Sequence, residues 1–164
     1  MAQHSLAIKK HWNIISFSIL LIFFVSSSFA KSISGIVIRI ADGDTLTILT
    51  PTKKQIKIRL AEIDAPEKEQ AFGNVSRQSL ANICYRKNAV VIYEKADRYK
   101  RILGRVYCNS VDANAHQVQK GMAWVYDKYV TDNKLYDLQI EAQRSKKGLW
   151  ADKYAIPPWI FRKK

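Results

Sequence analysis

Hydrophobic and polar positions along the chain fall into short stretches of changing period. From Ser32 to Ile40 the residues Ile33, Ile36, Val37, Ile38 and Ile40 make a β-branched run, and Thr45 to Thr50 largely alternates polar with apolar. Both predict strands. Ala41-Asp42-Gly43-Asp44 between them is a turn signal, so the two strands form a hairpin. After a second turn at Pro51 to Lys54, Gln55 to Ile63 alternates through Ile56, Ile58 and Leu60 as a third strand, which Pro66 prevents from continuing. Asn74 to Tyr85 spaces Val75, Leu80, Ile83 and Cys84 as an amphipathic helix does. Strand patterns resume at Ala89 to Tyr93 and Ile102 to Cys108, on either side of a charged turn at Asp97 to Arg101. Two helices follow: Ala113 to Lys120, stopped by Gly121, and Lys134 to Lys147, with Leu135, Leu138 and Ala142 on one face and Gly148 as its stop. Five strands and three α-helices with no strand–helix–strand alternation predict a β-barrel with helices (α+β), a five-stranded, partly open antiparallel barrel of the OB type.

The first thirty residues stand apart from this pattern. Lys9 and Lys10 precede an apolar run from Ile14 to Val25, broken only by Ser16 and Ser18, and small residues lead to Ser28-Phe29-Ala30. This is the layout of a secretory signal peptide cut after Ala30. The run is shorter than the roughly 20 residues a spanning helix needs, so no stable membrane span is expected after cleavage. The expected division is a signal peptide at 1–30, a barrel domain at 31–154 and a basic C-terminal tail at 155–164, with a periplasmic or secreted destination. Cys84 and Cys108 are the only cysteines and both follow the cut. In an oxidising compartment they form one bridge or stay as two buried thiols. With His116 the only histidine past the cut, and read as a surface residue, zinc has too few ligands.

Charge narrows the function. The chain has 27 Lys and Arg against 14 Asp and Glu; removal of residues 1–30, which hold two Lys and no acid, leaves 134 residues at +11. Such a field draws polyanions, nucleic acid first among them, with an anionic envelope surface as the alternative. The scarce acids gather at two turns, Asp42 and Asp44 after the first strand and Asp64 and Glu67 after the third. If those strand ends lie side by side, the carboxylates repel unless a cation joins them, and an all-oxygen set suits Ca²⁺. The plainer reading of each motif is a hairpin turn and a loop cap. Arg59 and Arg101 offer planar forks for phosphate oxygens, and Glu67 can orient or deprotonate a water. Cation, guanidinium pair and base are the apparatus of phosphodiester hydrolysis.

Asp42-Gly43-Asp44-Thr45, Arg59-Leu60 through Asp64-Ala65-Pro66-Glu67, Asp97-Arg98-Tyr99-Lys100-Arg101, and Glu141-Ala142 with Gly148-Leu149-Trp150 together resemble the staphylococcal nuclease family, in order and approximate spacing from about Ile33 to Trp150. The resemblance implies an OB-type barrel with three helices and a Ca²⁺-dependent nuclease that cleaves DNA and RNA and leaves 3′-phosphate ends. It makes Asp44 and Asp64 direct metal ligands, adds the Ala65 main-chain carbonyl, and brings in Asp42 through water. Arg59, Glu67 and Arg101 become the catalytic set. Arg98 and Tyr99 resemble residues that hold a terminal phosphate, and Tyr126 or Tyr129 packs on a base. The chain departs from the family at Ala65, where Thr is usual, at Lys100, where Gly is usual, and in its two cysteines. A monomer is expected. The alternative is a non-catalytic OB-fold module that holds nucleic acid without cutting it.

Overall fold

A computed structural model describes residues 31–163. Residues 1–30, the segment read from sequence as a signal peptide, lie outside them. Strands β1 (Lys31–Ile40), β2 (Thr45–Leu49) and β3 (Gln55–Leu60) form an antiparallel meander, and β1 also pairs with β5 (Asn88–Ala96), which pairs with β6 (Ile102–Cys108). Closure comes from β6 returning to β3, with Ile58 opposite Ile102 and Leu60 opposite Gly104. That pairing is parallel, which corrects the expectation of an antiparallel barrel. A closed sheet leaves no long free edge. Its interior is filled by Val37, Leu46, Ile48, Ile58, Leu60, Val91 and Val106, all fully buried.

The third strand ends sooner than its alternation predicts. Ala61 and Glu62 form a kink, with Glu62 at φ 67°, and the chain resumes as a two-residue strand β4 (Ile63–Asp64). The side chain of Asn114, fully buried, holds the break open: its amide donates to the Ala61 carbonyl (2.7 Å) and its oxygen accepts from Val106 N (3.0 Å). Turning the strand here carries Asp64 off the barrel wall onto a second, small sheet with β8 (Trp124–Val125). A further two-residue strand, β7 (Val111–Asp112), extends β6.

Helix α1 (Gly73–Cys84) packs on α2 (Ala113–Gln119), and α2 on α3 (Lys134–Arg144). Asp112 caps α2 by accepting from Ala115 N at 3.0 Å. The last helix stops three residues before Lys147 because Lys146 takes φ 49° and Lys147 N bonds back to the Ala142 carbonyl, a helix-ending turn. Gly121 and Gly148 both have positive φ and meet there, Leu149 N donating to the Gly121 carbonyl. A 3₁₀ turn, Gly148–Ala151, follows, and then a fourth helix, α4 (Pro158–Phe161), inside the segment read from sequence as a tail. His116 is half-buried in α2 rather than on the surface, and burial and the charge of Lys120 lower its pKa.

Of the two readings of the cysteines, the bridge is found: Cys84 at the end of α1 joins Cys108 at the end of β6, Cα to Cα 5.1 Å. Among the described residues no helix is long and apolar enough to cross a membrane.

Candidate active site

The β1–β2 turn and the β3–β4 break deliver the acids to one place. Asp44 and Asp64 are 4% and 1% exposed, and one guanidinium joins them: Arg59 Nη1 lies 2.9 Å from Asp44 Oδ2, and its Nη2 2.8 Å from Asp64 Oδ1. Arg59 also donates to the carbonyls of Leu60 and Ile63, which locks it beneath the kink. Ala65 N donates to Asp44 Oδ2 at 2.6 Å, so the two turns are bonded to each other directly. The Asp42 carboxylate is turned back on its own loop, accepting from Asp44 N at 3.1 Å.

Gly43 makes this convergence possible. A Cβ there would collide with Ser76 Oγ and lie 2.8 Å from the Ala65 methyl. Its carbonyl accepts from Gln117 Nε2 (2.7 Å), and Ser76 Oγ donates to the Met122 carbonyl (2.6 Å). Thus α1 and α2 grip the β1–β2 turn through buried polar contacts.

Burial dominates the electrostatics of Asp44 and pushes its carboxyl to about 8; Arg59 opposes the shift and Asp42 adds to it. A buried acid so placed is ionised only with more positive charge beside it. Counting donors shows where that charge fits. Asp44 Oδ2 accepts one hydrogen bond, from Ala65 N, and is ion-paired with Arg59 Nη1, while Oδ1 accepts one, from Thr45 Oγ1, and faces no cation among the described residues. Asp64 Oδ1 accepts two, and Oδ2 only one, from Arg162. Each carboxylate therefore keeps an oxygen with a free lone pair. Among the described residues no three His, Cys, Asp or Glu side chains form a ready-made cage. The donor set of two carboxylates, with main-chain carbonyl and water to complete it, fits a hard cation that tolerates mixed oxygen ligands.

Glu67 stands on the loop after β4, its N–H donating to Gln70 Oε1 at 3.2 Å. Its carboxylate is gripped by Arg162, Nη1 to Oε1 2.6 Å, and the same guanidinium reaches Asp64 Oδ2 at 2.7 Å. Sequence reasoning left Arg162 in an unassigned tail. The available signal was Pro157-Pro158 as a helix start, with Trp159 and Arg162 three apart on one face.

Arg101 immediately precedes β6, next to Ile102, whose partner is Ile58 on the strand that carries Arg59. Its guanidinium is paired with Asp97 (Nε to Oδ2 2.8 Å) rather than with Asp44, Asp64 or Glu67. Asp97 also accepts from the N–H groups of Tyr99 and Arg101. Burial raises the Asp97 carboxyl, but these bonds and the Arg101 charge together outweigh it and hold the group below its ordinary value. Tyr99 is 66% exposed, with Arg98 and Arg101 5.0 and 5.4 Å from its ring centre. Tyr126 and Tyr129 meet edge to face at 5.0 Å; Tyr129 is exposed, whereas Tyr126 is stacked on Trp159 at 5.3 Å and 10°.

Residues 57–152 match the family described as staphylococcal nuclease homologue. The chain belongs to the staphylococcal nuclease homologue family. It is 45% identical over 147 residues to a Haemophilus influenzae protein named "Uncharacterized endonuclease", covering 89% of this chain and 83% of that one. An Escherichia coli protein of the same name is 44% identical over 131 residues, 79% and 85% of the two chains. A Shigella flexneri protein named "Micrococcal nuclease" is 43% identical over 140 residues, 79% and 80% of the two chains. All four motifs that carried the resemblance thus sit within or just before the matched family segment.

Proposed function

We propose that this family member is an exported, calcium-dependent nuclease that hydrolyses phosphodiester bonds of DNA and RNA and leaves 3′-phosphate ends. The observation that carries the reading is the meeting of Asp44 and Asp64 on Arg59, each acid keeping one open oxygen. Asp44, Asp64 and the Ala65 carbonyl would hold the ion, with Asp42 reaching it through water. Bound calcium supplies charge neutralisation and polarisation at the phosphoryl group. Glu67 orients or deprotonates the attacking water. As the water oxygen bonds to phosphorus, the bond to the 5′-oxygen breaks and that oxygen leaves as a hydroxyl, taking a proton from solvent, so the phosphate stays on the 3′-oxygen. Arg59 and Arg101 stabilise the charge that gathers on the phosphoryl oxygens, which for Arg101 requires exchanging Asp97 for phosphate. Arg98 and Tyr99 hold the terminal phosphate, and exposed Tyr129, with Tyr126 behind it, offers a face for a base. Export is supported by the signal-like first thirty residues; the protein acts as a monomer.

The test is cleavage of single-stranded DNA and of RNA by the mature protein, with and without a calcium chelator, with end-group analysis of the products. The expected result is chelator-sensitive cleavage of both and 3′-phosphate ends, with Glu67→Ala slower by at least about 10²-fold. Cleavage indifferent to chelation would remove the metal from the reading. Salt-dependent DNA binding without turnover would establish the non-catalytic module instead.

A further inference from the structure

We infer that Arg162, on the C-terminal helix, is a positioning residue of the active site that holds the Glu67 carboxylate in register with Asp64; this rests on the nuclease reading. Its fork spans two acids from different segments, Nη1 on Glu67 Oε1 (2.6 Å) and on Asp64 Oδ1 (3.2 Å), and Nη2 on Asp64 Oδ2 (2.7 Å). Among the described residues, no other donor is bonded to the Glu67 carboxylate. Without a cation between them, Asp64 and Glu67 would repel, and the Glu67 side chain, whose backbone alone is tied down, would be free to turn away. A planar guanidinium can serve both acids at once; a lysine ammonium cannot match that geometry.

The helix that carries Arg162 is docked rather than loose. Pro158 is buried at its start, Trp159 stacks on Tyr126 and meets Trp124 edge-on at 5.8 Å, and Gln70 Nε2 bonds to the Ile156 carbonyl. Trp124 is the β8 partner of Asp64, so the aromatic anchor and the acid it serves share one small sheet. Gln70 in turn accepts from Glu67 N, which links the Glu67 loop to the segment leading into this helix. The arginine also leaves one lone pair on Asp64 Oδ2, so it need not depart when a cation binds.

The experiment compares wild type, Arg162→Ala, Arg162→Lys, Trp159→Ala and Lys163→Ala in the full mature chain. It measures kcat and KM on single-stranded DNA at saturating calcium, and calcium affinity by calorimetry. A misplaced reacting group costs up to about 10²-fold, so kcat of Arg162→Ala should fall at least about 10-fold, with KM and calcium affinity within about threefold of wild type. Arg162→Lys should regain little of the loss, added guanidinium ion should restore part of it, and Trp159→Ala should share it. Lys163→Ala should match wild type. An unchanged kcat in Arg162→Ala, with wild type active, overturns the inference and leaves the nuclease reading standing. Tighter calcium binding with faster cleavage at limiting calcium also overturns it, making Arg162 a competitor of the ion. An inactive wild type removes the nuclease reading and this inference with it.

Discussion

Lys100 adopts φ 61°, the left-handed region where a side chain collides with its own backbone. Its turn is held in spite of this by Asp97, which accepts from the Tyr99 and Arg101 N–H groups and from the Arg101 guanidinium. Replacing Lys100 by Gly relieves the strain and leaves these bonds alone. The expected gain is about 1 kcal/mol, or roughly 4 °C in Tm by thermal melting, with cleavage rate within about twofold of wild type. A lower melting temperature would show that the lysine side chain is needed. At this scale the sequence was readable where chemistry is local: Asp42, Asp44, Asp64 and Glu67 announce themselves as rare acids at turns. The role of Arg162 was not readable, because 98 residues separate it from Asp64 and they meet only through the docking of the C-terminal helix, in which Trp159 stacks on Tyr126 and Pro158 is buried. Nor did a spacing rule reveal that Arg101 rests on Asp97.

At the scale of elements, the break between β3 and β4 matters most. Alternation through Ile56, Ile58 and Leu60 slips phase at Ala61-Glu62-Ile63, but the slip alone does not show a kink, which depends on Asn114, 53 residues away, bonding into the gap. Glu62 turns the break into a joint. Its carboxylate accepts from Thr131 N, Thr131 Oγ1 and Asp132 N, and pairs with Arg105, which also holds Asp112 and Asp132. Burial pushes Glu62 up, yet those bonds and the Arg105 charge win and hold it below its ordinary value. The loop bearing Tyr126 and Tyr129 is thereby fastened to the barrel, Tyr126 N donating to the Glu62 carbonyl. Glu62→Gln should cost about 1–3 kcal/mol at neutral pH and raise KM for DNA. A depressed carboxyl stabilises the fold above its unfolded pKa and loses that contribution as pH falls through its folded value. The gap between wild type and variant in denaturant titrations should therefore shrink under acid; a gap constant with pH would contradict the assignment.

For the whole molecule, the element order was enough to predict a five-stranded barrel, but not that parallel pairing of β3 with β6 closes it, since a parallel contact leaves no turn signal between its strands. The Cys84–Cys108 bridge crosses from the helix behind the β1–β2 turn to the closing strand. In the chain-entropy model a loop of about 25 residues is worth about 3 kcal/mol, so the Cys84→Ala, Cys108→Ala variant should unfold at correspondingly lower urea, and an unchanged midpoint would show that the bridge does not hold the fold. An excess of basic residues draws polyanions while Asp44 and Asp64 are turned inward onto Arg59, so affinity for a polyanion and the chemistry of the acids are separable properties of one barrel. The central claim, that Asp44 and Asp64 jointly hold a divalent cation, is tested most directly by calorimetric titration of calcium into wild type and Asp64→Asn. One site per chain in wild type, lost or weakened at least about 10-fold in the variant, is the predicted result. Equal binding by both proteins would contradict it.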